Sequence, residues 1–363
     1  MPSVERAELV AFLERLLLAV NTPTDVAQTV ADALVEADLH GHHSHGARLV
    51  PNYVERIERG TIRPSMRPEV VDESAMAVTV DGRSGFGQHV GKHAIEEGVS
   101  KAEQQGIAVV NVRNATHLGC IGTWARRATA RGFAFLGFVC IPTSTLVAPP
   151  GACEGRLSTN PITIGLPSFD ALAYPLVLDM ATSQVAFGKI REAAAEGKRV
   201  PEEWMISRDG SRDPQQVVDG EGALRPLGGS TSGYKGFGLA VMAELLASNF
   251  ADAPVSGQEE GTHDNAATFV LVDPLEFTTK DRLERRITAF REYVRSAESA
   301  EDPSPGVAAM GDTCRLPGEP EHRAKVAQSE AGISIRTADA SALRELADVI
   351  DVEAIPEPFV DVE

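Results

Sequence analysis

The sequence predicts an α/β fold, and three observations carry that prediction. Apolar residues recur at helical spacing through roughly the first sixty positions, after which the period shortens to that of strands. Two later runs, Ile107 to Val112 and Phe133 to Ile141, are apolar enough to be strands buried on both faces, and helical stretches separate them. No run reaches the eighteen or so unbroken apolar residues that a membrane helix needs.

Taken in order, residues 4–20 read as a helix broken at Asn21. A second helix is predicted from an N-cap at Thr22, with Pro23 in the first turn and Asp25 completing a capping box. Val26, Val30, Leu34 and Ala37 share its inner face, and Gly41 suits a left-handed stop. A third helix runs to Gly60 with Pro51 in its first turn, which leaves Ser44 to Arg48 in the connection or the entry turn. Val70-Val71 and Ala77 to Val80 read as strands, Gly87 to Gly106 as a helix, and a further helix ends at Gly132. The stretch from Pro142 to Pro161 is a long connection of the kind that is usually functional.

Leu176 to Asp179 is a strand, and a helix is expected to start directly after it, capped by Thr182 or Ser183. Gly197 to Pro226 reads as a surface excursion, and the glycine-rich Gly228 to Gly238 as a loop opening the helix Leu239 to Leu246. Thr268 to Val272 is a strand and Thr279 to Ala297 an amphipathic helix. Asp302 to Gly306 is a Pro-rich loop, and a last helix starts at Asp339 or Ser341.

Composition narrows the functional classes. The net charge of -18 argues against nucleic acid, whose phosphates reward clustered cations. Only seven of the 34 basic residues are lysine, a surface suited to a salty cytoplasm or a GC-rich genome. The N-terminal residues lack a basic segment followed by an apolar one, so no signal peptide is read and a cytoplasmic location is expected. Cys120, Cys140, Cys153 and Cys314 form no CxxC pair and fit buried thiols in a reducing compartment.

Four of the nine histidines fall between His40 and Arg48. Such a cluster can move protons, hold a metal or simply be solvated, and an arginine beside it can clamp a carboxylate. Neighbours in one short loop rarely converge on a single ion, so no metal site is expected. His117 follows a buried strand in a glycine-containing turn, where catalytic and structural roles are both open; Asp179, at a strand end, has the same two readings. The Gly228 to Gly238 stretch with Lys235 reads either as an anion cradle or as a hinge. No GxGxxG with a following acidic residue occurs, so any dinucleotide binds without the Rossmann fingerprint.

Seven motifs in order give the chain its resemblance to a known family. They are Gly41 to Gly46 with Tyr53 to Ile57, His117-Leu118-Gly119, Val147-Ala148-Pro149, Gly155 through Pro161, Leu178 to Ser183 with Gly188-Lys189, Tyr234 to Gly238, and Leu316 to Glu319. Together they resemble the malate/L-lactate dehydrogenase family that lacks a Rossmann fold. The resemblance implies NAD(P)-dependent interconversion of 2-oxo and 2-hydroxy acids, with NAD as cofactor and NADP open, in a homodimer. It further implies a mixed, largely antiparallel cofactor-binding sheet beside a helical part.

The expected division is residues 1–72 with 315–363 as the helical part on the dimer and substrate side. Residues 73–183 with 225–314 would form the cofactor sheet, and 184–224 a small subdomain. Carried over by position, His117 matches the general acid/base and His45 a second catalytic histidine. Ser44, Arg48, Tyr53 and Asn160 fall on the substrate side. Thr143, Asp179, Met180, Ala181, Thr182, Lys235, Gly236, Pro317, Gly318 and Glu319 fall on the cofactor side. The sequence departs from the family at Leu49, where many members carry the carboxylate-binding arginine; here the arginine is Arg48. Alternative readings are a reductase of cyclic imino acids and a metal-dependent hydrolase built on the histidine cluster.

Overall fold

The architecture follows from two apolar surfaces that need covering. The computed structural model describes residues 1–258, 265–298 and 314–360; the loop from Asp302 to Gly306 lies outside them. β1 (Ser3–Val4), α1 (Arg6–Ala19), α2 (Thr24–Leu39) and α3 (Val50–Glu58) pack with the chain's C-terminal helices around Phe12, Leu16, Leu34, Tyr53 and Leu343. β1 pairs with the short strand Ile333–Ser334, which ties the first residues to the last helices.

The second surface is a seven-stranded sheet. β2 (Glu69–Glu73) and β3 (Ala77–Asp81) lead through α4 (Gly87–Gln105) into β4 (Ile107–Ala115). α5 (Ile121–Ala130), β5 (Ala134–Cys140), β6 (Ile162–Leu166) and β7 (Leu176–Met180) follow. α6 (Phe187–Ala195) and a small hairpin, β8 (Met205–Ser207) with β9 (Gly222–Leu224), enclose a minor core around Ile190 and Leu224. α7 (Gln215–Val218) lies within that segment, and α8 (Gly229–Ala251) returns the chain to β10 (Asn265–Val272). The spatial order is β2-β3-β4-β10-β5-β6-β7. Only β3 and β4 are parallel, so the sheet is mixed and largely antiparallel as expected. α4 and α5 cover one face with Trp124, Val110 and Phe269 in the core, and α8 lies on the other.

Several local expectations need correcting. α2 begins at Thr24 with Pro23 as its N-cap; the Thr22 hydroxyl is buried and makes no hydrogen bond. The helix after β7 starts at Phe187, because Thr182 and Ser183 spend their hydroxyls on the carbonyls of Thr159, Asn160 and Val185. The glycine-rich stretch is itself helical from Gly229, with a kink at Ser232, and at Gly236 a Cβ would stand 2.4 Å from the Leu227 carbonyl. β10 begins three residues earlier than the apolar run suggests, the last long helix starts at Thr337, and Cys314 is exposed. No helix of the described residues is long and apolar enough to cross a membrane.

Candidate active site

The site lies where the turn between α2 and α3 meets the end of β4. Asp38, near the end of α2, shapes that turn: its carboxylate accepts from Ala47 N at 2.7 Å and meets His43 Nδ1 at 3.0 Å. A Cβ at Gly46 would fall 2.0 Å from the same carboxylate, so glycine is required there. Burial raises the Asp38 pKa. Two short 3-10 turns, His43–His45 and Ala47–Leu49, then carry Ser44, His45 and Arg48 to the sheet domain.

His45 and His117 stack there with ring centroids 5.5 Å apart, and both keep some solvent exposure. Ser44 Oγ lies 2.9 Å from His45 Nδ1. Tyr53, from α3, is 2% exposed and sets its hydroxyl 2.9 Å from His117 Nδ1, while Gln88 Nε2 donates to the same oxygen at 2.8 Å. The Tyr53 oxygen, already accepting from Gln88, can give its proton to Nδ1 or accept a second proton from it. The hydroxyl therefore serves either protonation state of His117 while fixing its ring.

Electrostatics keep both imidazoles neutral. Burial, then the charges of His45 and Arg56, hold the His117 pKa down at about 3. Burial also lowers that of His45, against the attraction of Asp179. Asp179 is fully committed: Oδ2 accepts from Gly122 N at 2.6 Å and from the Cys120 thiol at 3.5 Å, and Oδ1 accepts from Thr163 Oγ1 at 2.6 Å. It thereby caps α5, the favourable place for a negative charge at a helix N-terminus. The Cys120 thiol, pushed up to about 12 by burial and Asp179, is no nucleophile.

The other sequence-derived candidates divide. Arg48 Nε is 3.5 Å from Asp339, and its charge is felt at His45; Leu49 packs against the helical core. Asn160 is wholly buried and donates to the Ala240 carbonyl and to Glu244, so its amide braces α8. Thr182 binds the carbonyls of Thr159 and Asn160, and Met180 pairs with Ile162 across β6 and β7, Ala181 following it in the turn. Lys235 is exposed over the Tyr234 ring, and Thr143 lies in the loop after β5. The Pro317 carbonyl accepts from Val177, and Gly318, at φ +89, leaves no room for a Cβ beside Pro175. Glu319 is buried and gripped by Arg295, Arg323 and Tyr174, which with neighbouring backbone hold its pKa to about 2.

The sequence reading missed Arg126 and Arg56. Arg126, on α5, lies beside Asp179 and pairs with Glu36 at 3.6 Å; helical spacing from the motif His117-Leu118-Gly119 was the only signal pointing to it. His40 bonds the Glu36 carbonyl, and His42 lies 3.7 Å from Glu321. Among the described residues, no three His, Cys, Asp or Glu side chains gather as a metal site.

A cavity of about 670 Å³ opens beyond Arg126, walled by α5, the β6–β7 hairpin and the helix Glu319–Ala331. Of the residues expected on the cofactor side, Gly318 lines it; Thr143, Asp179 to Thr182, Lys235, Gly236, Pro317 and Glu319 do not.

Comparison with known proteins decides the family. Residues 4–344 match the malate/L-lactate dehydrogenase family. The chain belongs to that family. An L-lactate dehydrogenase from Cupriavidus necator is 34% identical over 348 residues, covering 94% of this chain and 95% of the relative. The structure of a malate dehydrogenase from Entamoeba histolytica superposes with a TM-score of 0.88 at 26% identity, over 97% of this chain and 98% of that one. A Δ1-piperideine-2-carboxylate reductase from Pseudomonas syringae pv. tomato superposes at 0.80 with 28% identity, over 96% of this chain and all of that one. The chain is thus a member of an oxidoreductase family of hydroxy acid dehydrogenases.

Proposed function

We propose that this protein is an NAD(P)-dependent 2-hydroxyacid dehydrogenase with His117 as general acid/base and His45, oriented by Ser44, as its assistant. The observation that carries this reading is the stacked pair of desolvated imidazoles, one of them seated on a buried tyrosine. A neutral imidazole takes the hydroxyl proton when the hydroxy acid is oxidised, and the low His117 pKa keeps it neutral at pH 7. In reduction the imidazole must first be charged, which an arriving substrate carboxylate favours by raising its pKa. The nicotinamide, when bound, accepts or supplies the hydride. Arg48, close enough to act on His45, would meet the substrate carboxylate on exchanging its Asp339 contact.

The cavity between α5 and the helix Glu319–Ala331 supports a dinucleotide reaching the site past Val177 and Gly318. We take the enzyme to act as a homodimer in a reducing cytoplasm, which suits its free cysteines. His117→Ala is expected to lower kcat by about 10²- to 10⁴-fold while the fluorescence-measured affinity for reduced cofactor is retained; near-normal turnover would refute the assignment. The neighbouring piperideine-carboxylate reductase makes cyclic imines the main rival substrates. A screen of 2-oxo acids and cyclic imines with both reduced cofactors separates the two readings. Full activity after exhaustive chelation would dismiss a hydrolytic metal.

A further inference from the structure

In a chain carrying a net charge of -18, the wall of the 670 Å³ cavity is cationic. Arg126, Arg127, Arg131 and Lys325 line it against two carboxylates, Glu36 and Glu321. Glu36 faces Arg126 at 3.6 Å, and Glu321 sets one oxygen 3.7 Å from His42 while its Oε2 is buried without a hydrogen-bond partner. Three cations remain around the outer part of the cavity. Arg127, on α5, and Arg131, its C-cap, stand one turn apart, and Lys325 comes from the facing helix. Arg127 lies 5.1 Å above the Trp124 ring, which holds its guanidinium without an acid. Arg131 pairs with Glu103 on the surface, an exposed bond worth little, so a phosphate can displace it.

The same cavity offers a flat platform. Tyr174 and His322 both line it and stack with centroids 5.2 Å apart and planes 29° from parallel. A purine can lie on such a pair while a phosphate on its ribose meets the cations. The inner end of the cavity is Arg126, which also borders Asp179 and so leads toward His45.

We propose that this cavity seats the adenosine end of a 2′-phosphorylated dinucleotide, with Arg127, Arg131 and Lys325 on the 2′-phosphate, so that the enzyme works with NADPH in preference to NADH. The inference rests on the dehydrogenase reading and sharpens its cofactor. Calorimetric titration of the intact protein with 2′,5′-ADP and with 5′-ADP tests it without turnover. We expect 2′,5′-ADP to bind ~10- to 100-fold more tightly, as one or two charge-assisted hydrogen bonds warrant. Arg127→Ala and Lys325→Ala, alone and together, should bring the two affinities toward parity and lower the NADPH-to-NADH ratio of kcat/KM.

Equal binding of the two nucleotides, or a preference that both variants leave unmoved, overturns the proposal. Turnover of an oxo acid at least as efficient with NADH as with NADPH also overturns it and leaves the dehydrogenase standing. A 2′,5′-ADP preference that the variants abolish, in a protein that reduces no oxo acid, sustains the site and removes the dehydrogenase reading.

Discussion

At the scale of single residues, the arrangement around His117 matters more than the abundance of histidine. Tyr53 and Gln88 are both almost wholly buried, and while the Tyr53 ring packs in the helical core its hydroxyl, with the Gln88 amide, makes a hydrogen-bonded seat for one imidazole. Removing the hydroxyl while keeping the ring isolates that role. We expect Tyr53→Phe to lower kcat about tenfold, the equivalent of one hydrogen bond of some 1.4 kcal/mol. The KM for reduced cofactor should change little, and the pH profile of kcat should shift because the partner of Nδ1 is gone. Unchanged kcat and pH profile would reduce Tyr53 to a packing residue. The sequence pointed to His45, Ser44 and His117 through motifs, because side chains held in fixed turns leave a local signature. Gln88 left none, and Arg126 left only its helical spacing from the His117 motif. They reach the site from helix faces whose orientation is set only by packing α4 and α5 on the sheet.

At the scale of elements, the strong periodic helices and doubly buried strands were legible, while boundaries decided by tertiary contacts were not. β6 went unread because Ile162 to Leu166 is short and follows a polar loop, and only its pairing with β5 and β7 makes it a strand. The glycines of α8 looked like a loop, yet they lie in the helix, and Gly236 sits against the Leu227 backbone where a Cβ would not fit. The sheet, rather than the helical part first expected to carry the dimer contact, suggests where a second copy sits. Leu136, Ile164 and Leu178 are directly paired across β5, β6 and β7 and are 36%, 44% and 38% exposed. Leu239, Met242 and Leu245 on α8 are exposed as well. Exposed apolar area of this kind marks an interface, and the expected homodimer supplies the occupant. Light scattering should give the mass of two chains for the native protein and of one chain for Ile164→Lys. A native monomer would remove the dimer.

At the scale of the whole molecule, buried imidazoles make stability depend on pH. His40, 5% exposed, and His117 are each held at about 3, in both cases first by burial, then by Arg126 for His40 and by His45 and Arg56 for His117. The unfolded chain takes up protons on these residues near 6.5, whereas the fold refuses them until about 3. Their contribution is thus fully present above the unfolded value and is lost progressively as pH falls from 6.5 toward 3. At pH 5 a shift of this size costs about 2 kcal/mol for each histidine, less for His117 because solvent still reaches it. Asp38, with its pKa raised by burial, works in the opposite sense but is a single group. We expect the urea midpoint to fall between pH 7 and pH 5 with an unchanged slope, and His40→Gln to flatten part of that fall, the other desolvated imidazoles keeping the rest. Equal midpoints at the two pH values would mean that the imidazoles ionise in the fold as readily as in water, and the neutral-base reading of His117 would fall with them.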